Sequence, residues 1–133
     1  MKNITQINIE FIPNNTRRYE TVGDYFFDAD GVLQVRISQM TKEIHAMAVL
    51  IHELTELASL RHKGIVSFED VDKFDNEFEE KRTRGEVGEN DEPGMAEDCP
   101  YRQEHLVASG IEMMLIAYSG ESWKAYEDAI YEL

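Results

Sequence analysis

His52 and Glu56 are the residues of this sequence whose types and spacing best suit chemistry. They lie in residues 48–60, a segment rich in leucine, isoleucine, valine and alanine. Successive residues of a helix turn by about 100°, so side chains four residues apart share one face. Burying ionisable groups in such surroundings is costly unless they are paired or coordinated. An imidazole and a carboxylate at this spacing can both reach one divalent ion. The adjacent Glu53 would then take a proton from water that the ion activates.

The pair alone leaves two interpretations equally open. His52 and Glu56 could bind a metal, or they could simply hydrogen-bond to each other along a half-wet groove. A second segment favours the metal. In residues 101–118, His105 and Glu112 are seven residues apart, which places them on one helical stripe within an apolar background.

Two helices whose His and Glu stripes face each other would bring two imidazoles and a carboxylate together. His52, Glu56 and His105 then form a ligand set known for catalytic zinc, with one position left for water. Glu112 is either an outer partner of His105 or a fourth ligand that closes the site. The alternative for Glu112 is a lone acid on a solvated edge.

His62 is a third histidine to consider, because it follows His52 by ten residues. In an unbroken helix it would lie about 15 Å along the axis from His52, too far to share an ion. We therefore expect His62 to act as a cation near the carboxyl end of the helix.

The segment His52-Glu53-Leu54-Thr55-Glu56 resembles the signature of the zincin metallopeptidases, His-Glu-x-x-His on a central helix. The order of elements over residues 19–118 is also similar. Glu56 stands where the family has its second histidine, and carboxylates also bind zinc. The resemblance implies His52 and Glu56 as ligands of zinc or another divalent ion, Glu53 as the general base, and a peptide or protein as substrate. His105 as third ligand is our own inference.

The elements that must position these residues are predicted from the hydrophobic pattern. Residues 6–39 alternate as strands and contain a hairpin signal at residues 28–31, which predicts a small antiparallel sheet. Helices follow, so the fold class is α+β, with an N-terminal antiparallel sheet and three to four helices in a zincin-like arrangement. We expect one domain over residues 1–133, with an acidic loop at about residues 81–99.

Capping residues predict where the helices begin and end. Thr41 is expected to cap the first helix and Gly64 to end it. Ser67 is expected to cap a second helix that runs to about residue 80. Pro100 is expected to open a third helix that ends before Gly120. A short last helix is expected around residues 123–130.

Composition limits the possible partners. The formal net charge of −14 over 133 residues argues against nucleic acid and favours cations or a basic partner. The single cysteine, Cys99, excludes an intramolecular disulfide and indicates a reducing, cytoplasmic compartment. A small acidic chain with this altered protease signature suggests a prokaryotic or phage source. We find no signal sequence at the start and no apolar run that could span a membrane.

Three functions remain in competition. The first is a zinc-dependent hydrolase of the zincin type, in which residues 32–38 act as an edge strand that aligns an extended peptide. The second is a structural metal site, in which Glu112 completes four ligands. The third is an acidic, non-catalytic protein that binds a basic protein partner by charge. The sequence leaves the oligomeric state undetermined.

Overall fold

The computed structural model describes residues 2–133 and has an α+β architecture. Three strands come first: β1 (Ile7–Ile12), β2 (Gly23–Phe27) and β3 (Leu33–Ser38). Four helices follow: α1 (Glu43–Lys63), α2 (Phe68–Thr83), α3 (Arg102–Ser119) and α4 (Trp123–Tyr131). Short 3-10 turns interrupt the loops at Asn14–Thr16 and Pro93–Met95.

The sheet is mixed, which corrects the prediction that it is antiparallel. Its strand order is β1-β3-β2, with β1 parallel to β3 and β2 antiparallel to β3. The predicted hairpin is present, and Gly31 adopts a positive φ of 80° in its turn. Residues 13–22 carry the chain across the end of β3, so β1 and β2 flank it on opposite sides. Alternating apolar residues predict strands, but they do not encode which strands become neighbours.

Helix α1 occupies the centre of the molecule. It contacts β2 and β3 and packs along α3. The inward side chains of β3, Leu33, Val35 and Ile37, are fully buried. Because α1 is covered on more than one side, its buried residues include apolar and ionisable side chains alike. Gly64 ends the helix as predicted, with a φ of 69° and a hydrogen bond from its N–H to the carbonyl of Leu60.

Two predicted helix starts differ from the structure by one or two residues. Lys42, not Thr41, caps α1, and no side chain bonds the free N–H groups there. Helix α3 begins at Arg102 with Tyr101 as its cap, two residues after Pro100. Helix α2 extends beyond the predicted end, so the acidic loop begins at Arg84. Capping residues in a sequence locate the end of a helix only to within one or two residues.

The other capping predictions are confirmed. Ser67 caps α2 and forms a capping box with Asp70, since each side chain bonds the other residue's N–H at 3.0 Å. Ser122 caps α4 through the N–H of Ala125, and Gly120 follows α3 with a φ of 77°. Among the described residues, no helix combines the length and apolar character needed to cross a bilayer.

The capping box gives a first test of the fold. Replacing Ser67 by alanine removes the hydroxyl that accepts from the Asp70 N–H, and should lower the free energy of unfolding by about 1 kcal/mol. Thr41→Ala is the matched control, because Thr41 makes no capping bond, and should change stability by less than about 0.5 kcal/mol. Urea unfolding measures both. Equal losses for the two variants would contradict the assignment of the caps.

Candidate metal centre

The structure brings His52, Glu56 and His105 together. Each offers one ligand atom, and these atoms all lie within 4.8 Å of one another. All three residues are buried. Helix α1 places His52 and Glu56 one turn apart, and α3 packs against it so that His105 faces them. The two imidazole rings meet edge to face with centroids 4.8 Å apart. The predicted convergence of these three side chains is therefore confirmed.

One carboxylate oxygen lies between the two imidazoles. Glu56 Oε2 is 3.3 Å from His52 Nε2 and 3.2 Å from His105 Nδ1. Hydrogen bonds between charged partners are usually shorter, at about 2.7–2.9 Å. Ligand atoms about 2.0–2.1 Å from a tetrahedral ion are separated by roughly 3.3 Å. These two separations fit donors on a small divalent ion, and two imidazoles with a carboxylate are donors that zinc accepts.

Glu112 holds His52, which corrects the expectation that Glu112 supports His105. Its Oε1 lies 2.9 Å from His52 Nδ1, the ring nitrogen that faces away from Glu56. Its other oxygen accepts a hydrogen bond from the Tyr126 hydroxyl. A carboxylate on the far nitrogen of a histidine fixes the ring's orientation and tautomer. Glu112 therefore contacts a candidate ligand and is not itself part of the converging group.

The other two donors also have outer partners, which sequence analysis did not find. The Tyr25 hydroxyl in β2 donates to Glu56 Oε1 at 2.6 Å. Glu92, in the acidic loop, lies with Oε2 3.1 Å from His105 Nε2. Each of the three converging side chains is thus oriented by one further polar group. Nothing in the local spacing of Tyr25 or Glu92 signals this, because both come from distant parts of the chain.

The acidic loop is ordered by Arg82 at the end of α2. The Arg82 guanidinium pairs with Glu79 at 3.1 Å and donates to the backbone carbonyls of Gly88, Glu89 and Asp91. These contacts position the loop so that Glu92 reaches the site.

Gly94 lies directly against the His105 ring, and a Cβ atom there would overlap the ring atoms. The acidic loop that was predicted at about residues 81–99 is therefore part of the centre.

Glu53 lies beside the three donors and fills the space above Gly23 of β2. A Cβ at Gly23 would come within 2.6 Å of the Glu53 side chain, so only glycine fits there without a shift. Burial raises the pKa of Glu53 to about 8, and the negative charge of Glu56 adds to this. Glu53 therefore has a pKa suited to exchanging protons near neutral pH.

When no cation is bound, the two imidazoles are protonated and Glu56 is an ionised carboxylate. Burial opposes the charged form of His52, but hydrogen bonds to Glu112 and Glu56 outweigh it and raise its pKa to about 11. For His105, hydrogen bonds to Glu56 and Glu92 likewise outweigh the effect of burial and raise its pKa to about 9. Burial would raise the pKa of Glu56, but contacts with His105 and His52 lower it to about 2. A divalent ion would replace these protons as the source of positive charge.

A cleft of about 310 Å³ opens onto the site. Its walls are the start of β2, the acidic loop and one side of α4, and His52, Glu53, Glu56 and His105 all line it. β3 lies in the middle of the sheet, so the prediction that residues 32–38 form an edge strand is wrong. The edge strand at the cleft is β2, the first strand of the hairpin, because β3 is flanked by β1 and β2.

Three other ionisable residues, His62, His45 and Asp75, lie outside the group of converging donors. Helix α1 is unbroken to Lys63, so His62 lies exposed in its last turn, as predicted. His45 is buried with its ring against Tyr126. Asp75 contacts no histidine, and instead accepts hydrogen bonds from the hydroxyls of Tyr101 and Tyr19.

No protein-family model matches this sequence, and neither a curated protein nor a solved structure shows significant similarity to the chain. The zincin resemblance therefore remains a prediction, and only the geometry of the centre supports a metal.

Gly94 gives a test that leaves every donor in place. Gly94→Ala should weaken Zn²⁺ binding at least tenfold, because the added Cβ displaces the rigid His105 ring. Gly88→Ala is the control in the same loop, since its Cβ would meet only the exposed side chain of Asp91. Competition with a chromophoric zinc chelator measures both affinities. Equal affinities for Gly94→Ala and the unmodified protein would contradict the placement of His105.

Asp75 predicts a pH dependence of stability. Burial raises the pKa of Asp75 from 3.8 to about 7, so the folded protein binds this proton more tightly than the unfolded chain does. Ionisation of Asp75 therefore lowers the free energy of unfolding, and this loss is absent below pH 3.8 and complete above pH 7. Asp75→Asn should therefore stabilise the protein progressively from about pH 4 to about pH 7, by at most about 4 kcal/mol. Urea unfolding with a chelator present measures this, and a difference independent of pH would contradict it.

Proposed function

We propose that this protein is a zinc-dependent hydrolase of the zincin type that cleaves peptide bonds. The observation that carries the proposal is the convergence of His52, Glu56 and His105 beside Glu53 at the base of an open cleft. Structural zinc sites are usually closed by four protein ligands, whereas catalytic sites keep one position for water or substrate. Glu112 is engaged with His52 and Tyr126, which leaves three protein donors and favours the catalytic type.

Each residue has a defined task in this proposal. His52, Glu56 and His105 would hold the ion, and the ion would supply a Lewis acid that lowers the pKa of water and polarises a carbonyl group. Glu53 would accept a proton from the attacking water and pass it to the departing amine nitrogen as the peptide C–N bond breaks. Gly23 keeps the space that the Glu53 carboxylate requires. Tyr25 stabilises the charged form of Glu56.

β2 supports a peptide as substrate. It is an edge strand, and its residues Gly23, Asp24 and Tyr25 line the cleft beside Glu53. An extended peptide can add to such an edge through backbone hydrogen bonds, which places its carbonyl groups along the strand. Several carboxylates also line the cleft, so a basic sequence would be attracted more strongly than an acidic one: Glu20, Glu79, Glu89, Asp91 and Glu127.

Metal content and peptidase activity together test this function. Protein purified without a metal-affinity tag should contain about one zinc per chain, and His52→Ala should lose it. Glu53→Gln should retain the metal and the stability of the fold but lose at least 99% of activity against a fluorogenic peptide library. His62→Ala is the matched histidine control and should keep both properties. Elemental analysis, thermal unfolding and the library assay provide the readouts.

The outcomes separate the competing functions. Equal metal content in His52→Ala and the unmodified protein would contradict any metal role for the centre. Bound zinc without peptidase activity, together with a lower melting temperature for His52→Ala, would favour a structural site. Activity that survives in Glu53→Gln would contradict the role of Glu53 as the base.

A further inference from the structure

Helix α3 has a second face, directed away from α1, that is apolar and exposed. Between residues 106 and 119 the only charged residue is Glu112, which is buried on the opposite side. Six large side chains on the outer face are each at least 40% exposed: Leu106, Val107, Ile111, Met113, Met114 and Tyr118. Single exposed apolar residues are ordinary, but a contiguous face of this kind marks an interaction site.

We propose that this face joins two copies of the chain into a symmetric dimer, with the two α3 helices packed antiparallel. The proposal is independent of the metal centre's function, since none of the converging donors lies on this face. The charge, shape and area of the face support it.

Charge favours a second copy over a basic partner. The chain carries a net charge of −14, so two copies repel each other wherever acidic surfaces meet. The outer face of α3 is a surface where they can meet without opposing like charges. A basic partner would gain nothing from an uncharged face and would be drawn to the acidic cleft and loop instead.

Shape also favours a self-complementary contact. Gly110 and Met114 lie at the centre of the exposed arc, one turn apart. No atom lies within 4 Å of a Cβ built at Gly110, so the helix has an open notch there. Met114 protrudes beside it and is 68% exposed. A two-fold axis level with residue 112 places Met114 of each copy over Gly110 of the other, as an isologous interface requires.

The same axis gives two further contacts along the helix, of which the first pairs a large side chain with a small one. Leu106 of one copy comes opposite Ala117 of the second, and Val107 comes beside Tyr118 of the second. The face extends over about 18 Å of helix from residue 106 to residue 118. Burying it would remove several hundred Å² per copy, on the order of the ~800 Å² per partner that stable complexes bury.

Sedimentation velocity between 1 and 200 µM tests the dimer. The unmodified protein should sediment as a dimer, and Met114→Glu should raise the dissociation constant at least tenfold because it places charge against the Gly110 notch. Ile65→Glu is the matched control: Ile65 is 75% exposed but lies outside α3, and its variant should remain dimeric. Circular dichroism should show the same fold for all three. A monomer throughout the range, or a dimer unaffected by Met114→Glu, would overturn the proposal.

A cross-link tests the register. The double variant Leu106→Cys, Ala117→Cys should form a disulfide-linked dimer under mild oxidation, because its two cysteines face each other across the axis. Each single variant should stay largely unlinked, and Cys99 is buried. Equal cross-linking in the single and double variants would overturn the antiparallel register.

Discussion

The centre depends on compensation of buried charge around one oxygen, Glu56 Oε2. It lies between two imidazole nitrogens, at 3.3 Å and 3.2 Å, and its residue is only 4% exposed. An unpaired carboxylate at this depth would be strongly destabilising. The surrounding structure follows from this need, since α1 supplies one imidazole, α3 supplies the other, and β2 supplies a hydroxyl to the second oxygen.

Compensation is arranged in layers around that oxygen. Glu112 and Glu92 each face the outer nitrogen of one imidazole, so positive and negative groups alternate from the centre outward. Tyr126 extends this arrangement to α4 by donating to Glu112. Glu53 is the exception, because no cationic side chain contacts it directly, and burial together with the charge of Glu56 raises its pKa. A buried acid with a raised pKa beside a candidate metal centre is a candidate for the base in the proposed function.

The two sides of α3 serve different purposes. The inner side carries His105 and Glu112 and completes the centre against α1. The outer side carries no charge and protrudes at Met114 beside the notch at Gly110. A dimer formed there would brace α3 from outside while leaving the cleft open on the β2 side. Glycine matters at Gly23 and Gly94 because a side chain there would overlap Glu53 or His105. At Gly110 the open space is what the proposed dimer would use.

Local patterns in the amino-acid sequence are enough to predict several of these features. His52 and Glu56 share a face because of the helical repeat, and Ser67 and Gly64 bound their helices because capping is a local interaction. The inference about His105 also came from a local pattern, its stripe with Glu112. Other features emerge only in the folded chain: β1 pairs parallel with β3, Glu112 supports His52, and Tyr25, Glu92 and Gly94 belong to the centre. These outcomes depend on which elements become neighbours, and packing settles that over the whole chain at once.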